Sequence, residues 1–237
     1  MTTSKSVNAY GNERALRYDQ YSAVTMGDRR LQRDYLRGLL KNQQFSHNSF
    51  LDLGCGTGFF GEVFFEHLPE ISGHLADGSA AMLELAKQRV SKESRKVAFQ
   101  HCLFDAFDWS VEQAFDVVFS AYAIHHIPDA DKWALFAQIY SRLGSGGAFI
   151  LFDNFLPREA KGREVIEYLT CMEIARRARN VASIEQVIAT DREVKAAEGD
   201  QEATFEDHLS QLRAIGFAEV VPVFLDARYG GIVAYKA

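Results

Sequence analysis

The stretch Phe50–Phe60 reads Phe-Leu-Asp-Leu-Gly-Cys-Gly-Thr-Gly-Phe-Phe, and it constrains this chain more than any other. Phe50–Leu53 is a short apolar run of the length of a buried parallel strand. Three glycines, Gly54, Gly56 and Gly58, then fall within five residues, and an apolar helical pattern follows. Each glycine permits a positive φ or removes a Cβ that would block close approach. A helix N-terminus behind such a turn offers unpaired N–H groups and the positive end of a dipole. Strand, glycine turn and helix together bring bare backbone against a nucleotide-like ligand.

The spacing separates the candidate ligands. A dinucleotide fingerprint needs G-x-G-x-x-G, but the last glycine here comes one residue early and Phe59 stands in its place. A P-loop needs Gly-Lys-Ser/Thr, and no lysine is near. What stands is Asp52-x-Gly54-x-Gly56-x-Gly58. This resembles the first motif of the class I S-adenosylmethionine-dependent methyltransferases. An anion at Asp52 is out of place beside a pyrophosphate, but suits a methionine moiety carrying an ammonium and a sulfonium. The resemblance continues at Asp77-Gly-Ser-Ala-Ala-Met-Leu, similar to that family's Asp-x-Ser-x-x-Met-Leu. It covers about residues 10–155 well and 203–237 moderately.

Composition narrows the class. A chain of 237 residues with 47% hydrophobic and 24% charged residues reads as one soluble globular domain. Three widely separated cysteines, Cys55, Cys102 and Cys171, have no zinc spacing and imply no disulfide framework, which fits a cytoplasmic location. No apolar run approaches a membrane span. The net charge of −6 argues against a nucleic-acid surface.

Taken in order, residues 1–9 read as a polar tail, and Asn12–Tyr21 and Asp28–Leu40 as two helices with Leu31, Tyr35, Leu36, Leu39 and Leu40 on one face. The resemblance makes residues 1–45 a helical cap over the cofactor, with Tyr18 near the methionine end. Strands are expected at Phe50–Leu53, His74–Ala76, Val97–His101, Phe115–Ser120 and Ala148–Phe152, and a hairpin over Phe217–Leu225 and Tyr229–Lys236. Helices are expected from near Gly58 to before Pro69, from Ser79, and over Asp131–Leu143. Residues 157–200 carry two amphipathic helical patterns and are not covered by the resemblance; such an insertion lids the acceptor pocket or forms a homodimer face. The cluster Arg176-Arg177-x-Arg179 reads as a solvated face.

The fold expected is α/β: a three-layer, Rossmann-like, doubly wound seven-stranded sheet, mostly parallel, with an antiparallel C-terminal hairpin. In such a sheet the strand carboxyl ends face one crevice. Asp77, at the tip of the second strand, is placed to accept both ribose hydroxyls. Gly54, Cys55 and Gly56 form the turn, Gly78 and Ser79 open the next helix, and Met82 packs inward or touches the adenine. The family's adenine-binding aspartate falls at Leu103 by counting; either Asp105, two residues late, takes that role, or Leu103 and Phe104 hold the ring by packing. Ser120 and Ala121 lie where the family's backbone runs along the methionine part. His125 and His126 follow, and either is a candidate general base.

The resemblance therefore implies methyl transfer from S-adenosylmethionine to a small molecule, with S-adenosylhomocysteine as product. A carboxy-S-adenosylmethionine synthase, an RNA-modifying methyltransferase, an NAD-dependent oxidoreductase and a cofactor sensor without turnover are the rivals.

Overall fold

The computed structural model describes residues 10–42, 48–110, 114–179 and 182–237; the polar tail expected over residues 1–9 lies outside them. Two helices come first, α1 (Asn12–Thr25) and α2 (Arg29–Lys41). The Asp28 carboxylate caps α2 by accepting the Arg30 and Leu31 N–H groups. Then follow β1 (Ser49–Leu53), α3 (Gly61–His67), β2 (Ser72–Asp77), α4 (Ala80–Val90), β3 (Lys96–His101), β4 (Phe115–Ala121), α5 (Asp129–Arg142) and β5 (Leu143–Asn154). The chain ends with α6 (Ala160–Ala178), α7 (Ile184–Glu198), α8 (Phe205–Ile215), β6 (Glu219–Asp226) and β7 (Tyr229–Tyr235).

The seven strands form one sheet in the order β3-β2-β1-β4-β5-β7-β6. β1 pairs in parallel with both β2 and β4, and β7 runs antiparallel to both β5 and β6. The chain walks outward from β1 to β3, then returns to place β4 beside β1. That reversal opens a crevice beyond the carboxyl ends of β1 and β4.

The apolar runs are explained by two covered faces. Side chains alternate along a strand, so Phe50, Phe119, Ile150 and Phe152 enter one core, while Leu51, Leu53, Val118, Phe149 and Leu151 enter the other. Phe50 stacks on Phe64 of α3 with ring centres 4.2 Å apart; cutting such a ring back to alanine costs about 3–5 kcal/mol. Gly230 and Gly231 of β7 make room for rings. A Cβ at Gly231 would stand 2.5 Å from Phe224 Cε1, and one at Gly230 would stand 2.8 Å from Phe155.

Three local expectations are corrected. The helix after the glycine turn starts at Gly61, not near Gly58, because Gly58 N–H closes a tight turn onto Cys55 O and Glu62 N–H reaches Gly58 O. On α2, Leu31 is exposed and Gln32 is buried instead, its amide donating to Met26 O at 2.7 Å. β5 begins at Leu143 rather than at Ala148, where the strand was expected to start, and runs through the Gly-Ser-Gly-Gly stretch. Lys236 N–H donates to Gly147 O, and Gly146 N–H donates to Lys236 O, which draws that stretch into the sheet. On α6, Val165, Tyr168, Leu169 and Met172 are exposed. Arg176 pairs with Glu173, which agrees with a solvated basic face. Among the described residues, no helix is long and apolar enough to cross a membrane.

Candidate active site

The cleft above β1 and β4 has about 980 Å³ of space, open on one side, and collects residues from six parts of the chain. Its floor is the glycine turn. Gly54 has φ +71°, and a Cβ there would stand 2.3 Å from the Ala123 Cβ, so only glycine lets β1 and the β4 loop meet. Gly54 and Cys55 N–H both donate to Ala76 O, which ties the turn to β2.

Asp77 closes the β2 end. One carboxylate oxygen accepts Gly56 N–H at 2.8 Å and the other accepts Ser79 N–H at 2.7 Å. Each oxygen keeps a further lone pair, so the group is held rigidly while still able to accept two hydroxyls. Burial outweighs these amide donors and holds its carboxyl above the ordinary range. Ser79 caps α4 by accepting Met82 N–H. Met82, Cys102, Leu103 and Phe104 line an apolar wall at the mouth of β3, whereas Asp105 is exposed and lies off that wall. Of the two arrangements left open for the adenine position, the structure therefore sets Leu103 and Phe104 in the cleft, not Asp105. A short 3₁₀ turn over Phe104–Ala106 points the chain this way.

Two ionisable groups in the cleft lack an ion-pair partner among the described residues, although Arg29 Nη1 donates to Met26 Sδ. Asp52 is 2% exposed, and its Oδ2 has no hydrogen-bond partner among the described residues. Desolvation, and then the nearby Asp77 charge, push its carboxyl up to about 8. Arg29, first residue of α2, is 9% exposed and lines the same cleft. Its guanidinium lies over the Phe59 and Phe60 rings at 4.1 and 4.8 Å. It makes no ion pair among the described residues, its Nε is unpartnered, and burial lowers its pKa. A buried charge without a partner costs several kcal/mol, so both groups fit a ligand that brings the missing charges.

Tyr18 and Tyr10 of the N-terminal segment wall the cleft, with the Tyr18 hydroxyl reaching Met26 Sδ. Burial raises the Tyr18 phenol to about 12, so it stays protonated. α1 is held over the turn by a triad: Asp19 accepts from Thr57 Oγ1 at 2.7 Å, and Arg89 bonds to Asp19, Thr57 O and Thr57 Oγ1.

The β4 side differs in character. Ala121 lines the cleft, but Ser120 is buried beneath it and donates to Leu53 O at 2.7 Å, bracing β4 against β1. Tyr122 follows with φ +54°, an uncommon conformation for a non-glycine residue, fixed by its N–H donating to Phe152 O. Its hydroxyl is buried and has no partner among the described residues, and burial holds its pKa well above 10. His126 lines the cleft, and His125 does not. His125 is turned inward to pair through Nδ1 with Asp153, which also accepts His125 N–H and Asn154 N–H. Burial alone would lower His125, but Asp153 and Asp200 overcome it and hold its pKa above the usual value. Burial, and then His125, lower His126, which stays neutral. Asp200, from the linker after α7, sits 3.0 Å from His126 Nδ1.

The sequence reading found Asp52, Asp77 and the glycines but missed Arg29, Tyr10, Tyr122, Asp153 and Asp200. Asp153 carried a usable signal, since it ends β5 on the crevice side. Arg29 and Asp200 carried none, because each comes from outside the strand–turn framework, Arg29 to line the cleft and Asp200 to meet His126.

Residues 50–147 match the methyltransferase-domain family. With the relatives and solved structures below, that match supports a class I S-adenosylmethionine-dependent methyltransferase domain over this stretch. Relatives of this chain include the malonyl-[acyl-carrier protein] O-methyltransferase 1 of Ilyobacter polytropus, 31% identical over 152 residues. That match covers 63% of the chain and 53% of the relative, so the chain spans about half the relative's length. The carboxy-S-adenosyl-L-methionine synthase of Campylobacter lari is 27% identical over 187 residues, covering 78% and 76% of the two chains. Among solved structures, the magnesium protoporphyrin IX methyltransferase of Synechocystis, with S-adenosylhomocysteine bound, superposes with a TM-score of 0.65 over 98% of both chains at 14% identity. At that identity the likeness speaks for the fold.

Proposed function

We propose that this chain binds S-adenosylmethionine in the cleft and transfers the methyl group to a small-molecule acceptor entering on the β4 side. The observation that carries this is a buried carboxyl, Asp52, and a buried guanidinium, Arg29, in one cleft, neither with an ion-pair partner among the described residues. An acid and a cation with no mates match a zwitterion, and an α-amino-acid tail is one. Asp52 takes the ammonium and Arg29 the carboxylate. Asp77 takes the ribose hydroxyls, and Met82, Leu103 and Phe104 enclose the adenine.

The cofactor, once bound, supplies a methyl carbon on a cationic sulfonium, and its displacement leaves S-adenosylhomocysteine. The chain's part is chiefly placement. Holding a nucleophile in line is worth roughly 7–11 kcal/mol in favourable cases, and the rigid Gly54–Ala123 contact and the strained Tyr122 fix the two sides of that line. Tyr122 has a hydroxyl free to bond an acceptor. His126, neutral and lining the cleft, takes a proton where the acceptor carries one. α1 and α2 act as a cap, and α6 and α7 as a lid over the acceptor side, all within one domain.

Arg29 supports a second reading, in which its partner is a carboxylate on the acceptor or on a carboxylated cofactor. Calorimetry separates the two. Wild type and Arg29→Gln are titrated with S-adenosylhomocysteine and with the analogue lacking the α-carboxylate. Loss of either partner alone weakens binding, and loss of both adds little further if Arg29 holds the amino-acid carboxylate. Fully additive losses assign Arg29 to the acceptor. Failure of S-adenosylhomocysteine to bind wild-type protein overturns the whole reading.

A further inference from the structure

Beside the cleft, three potential ligand atoms converge. His126 Nδ1 and Asp200 Oδ1 are buried 3.0 Å apart, and neither has a further hydrogen-bond partner among the described residues. Their side chains are only 9% and 5% exposed. An imidazole nitrogen and a carboxylate oxygen at this spacing either share a proton or form two corners of one metal centre. His125 Nε2 is the third corner, 3.7 Å from the same Asp200 oxygen. The three atoms all lie within 4.8 Å of one another.

These separations fit a tetrahedron. With bonds of about 2.0–2.1 Å, neighbouring ligand atoms around zinc lie about 3.3 Å apart, between the two distances found. The surroundings are built as a metal site requires. Asp153 accepts from His125 Nδ1 and is itself fixed by the His125 and Asn154 N–H groups. That bond places a proton on Nδ1 and turns Nε2 toward Asp200, the carboxylate–histidine arrangement that orients metal ligands. Asp200 is also held in place. Its N–H donates to Lys195 O, and the next residue, Gln201, donates its N–H to His125 O at 2.7 Å and its amide to His126 O.

We propose that His125 Nε2, His126 Nδ1 and Asp200 Oδ1 form a binding site for one divalent transition ion of the zinc class. Two imidazoles and one carboxylate suit such an ion, not calcium or magnesium, which prefer all-oxygen shells. Three protein donors leave one corner open for water or for an oxygen of the acceptor. His126 also lines the cleft, so the ion would border the acceptor's place. With Nδ1 on the ion, His126 gives up the base role assigned above, and the ion lowers the pKa of a bound hydroxyl in its stead. The site does not depend on methyl transfer, since it is assayed without cofactor.

The test uses the full chain, stripped with a chelator and dialysed into metal-free buffer. Co²⁺ is titrated and its visible absorption followed, then Zn²⁺ is added and bound zinc is counted by elemental analysis. One Co²⁺ per chain is expected, with the intense band of a four-coordinate site, displaced by one Zn²⁺. Asp200→Asn should weaken binding at least about 100-fold, and Asp153→Asn about 10–100-fold. His67→Gln, on α3, should leave it unchanged. Absence of stoichiometric Co²⁺ and Zn²⁺ binding overturns the site. So does binding that survives both Asp200→Asn and His126→Ala. X-ray absorption of the zinc-loaded wild type covers the case in which a variant fails to fold. Two imidazoles with no sulfur support the assignment, and a sulfur ligand, from Cys55 or Cys102, overturns it.

Discussion

The cleft has two mouths, and they are built in opposite ways. At the ends of β1 and β2, one short stretch of chain does nearly everything. The glycine turn, Asp52 and Asp77 lie within 28 residues, and Asp77 is pinned by the N–H groups of Gly56 and Ser79. At the ends of β4 and β5, the polar groups come from afar. His125 and His126 follow β4, Asp153 ends β5, and Asp200 arrives from the linker beyond α7. The first mouth repeats a ligand-binding device set by local backbone rules. The second is assembled by tertiary contact and is where an acceptor, rather than a shared cofactor, would be recognised.

Substitutions that divide the two mouths should have unequal effects. The largest is expected for Asp77→Ala. Removing a carboxylate that accepts two hydroxyls forfeits about 3–4 kcal/mol, which is roughly a hundred- to thousandfold in S-adenosylhomocysteine affinity by calorimetry. His126→Ala should change that affinity less than about fivefold; equal losses would dissolve the division.

Asp52→Asn comes next and acts in two directions. The folded-state carboxyl titrates at about 8, above its ordinary value, so the folded protein keeps a proton that the unfolded chain releases. The stability this group contributes is full below about pH 4 and is lost as the pH rises toward 8. Asparagine removes that slope. The variant should be about 2–4 kcal/mol more stable than wild type at pH 7 by denaturant titration, with the gap closing as the pH falls to 4. Its affinity for S-adenosylhomocysteine should nevertheless fall about tenfold or more.

Gly54→Ala should cost about 2–3 kcal/mol, through its positive φ and the 2.3 Å approach to Ala123, read as a lowered Tm. Smallest of all is Asp105→Asn. This exposed residue lies off the cleft wall, so affinity should stay within about twofold. A tenfold loss would move the adenine from Leu103 and Phe104 to Asp105.

The same contrast explains what the sequence disclosed. The strand order and the glycine turn were legible because Phe50–Leu53, Phe115–Ser120 and Ala148–Phe152 are apolar runs that only a sheet covered on both faces can bury. Asp77 was legible as a carboxylate at a strand tip. Arg29 was not, because a cation at the start of a helix reads as an ordinary solvated residue until α2 folds over Phe59 and Phe60. Asp200 was hidden for a similar reason. It lies between two helices in a polar linker, and only Gln201, bonded to the His125 and His126 carbonyls, reveals where it is held. His125 and His126, adjacent in sequence, looked interchangeable; the structure separates them, one facing Asp153 and the other the cleft.

The account stands on a buried, proton-bearing Asp52 that gives up its proton when an amino-acid ammonium arrives. Calorimetry of S-adenosylhomocysteine binding at pH 7, repeated in buffers of different ionisation enthalpy, counts that proton. With a carboxyl at about 8 in the free protein, wild type should release roughly 0.5–1 proton per ligand bound. Asp52→Asn should release none by this route. Tight binding with no proton released by wild type, or the same release from both proteins, would contradict it.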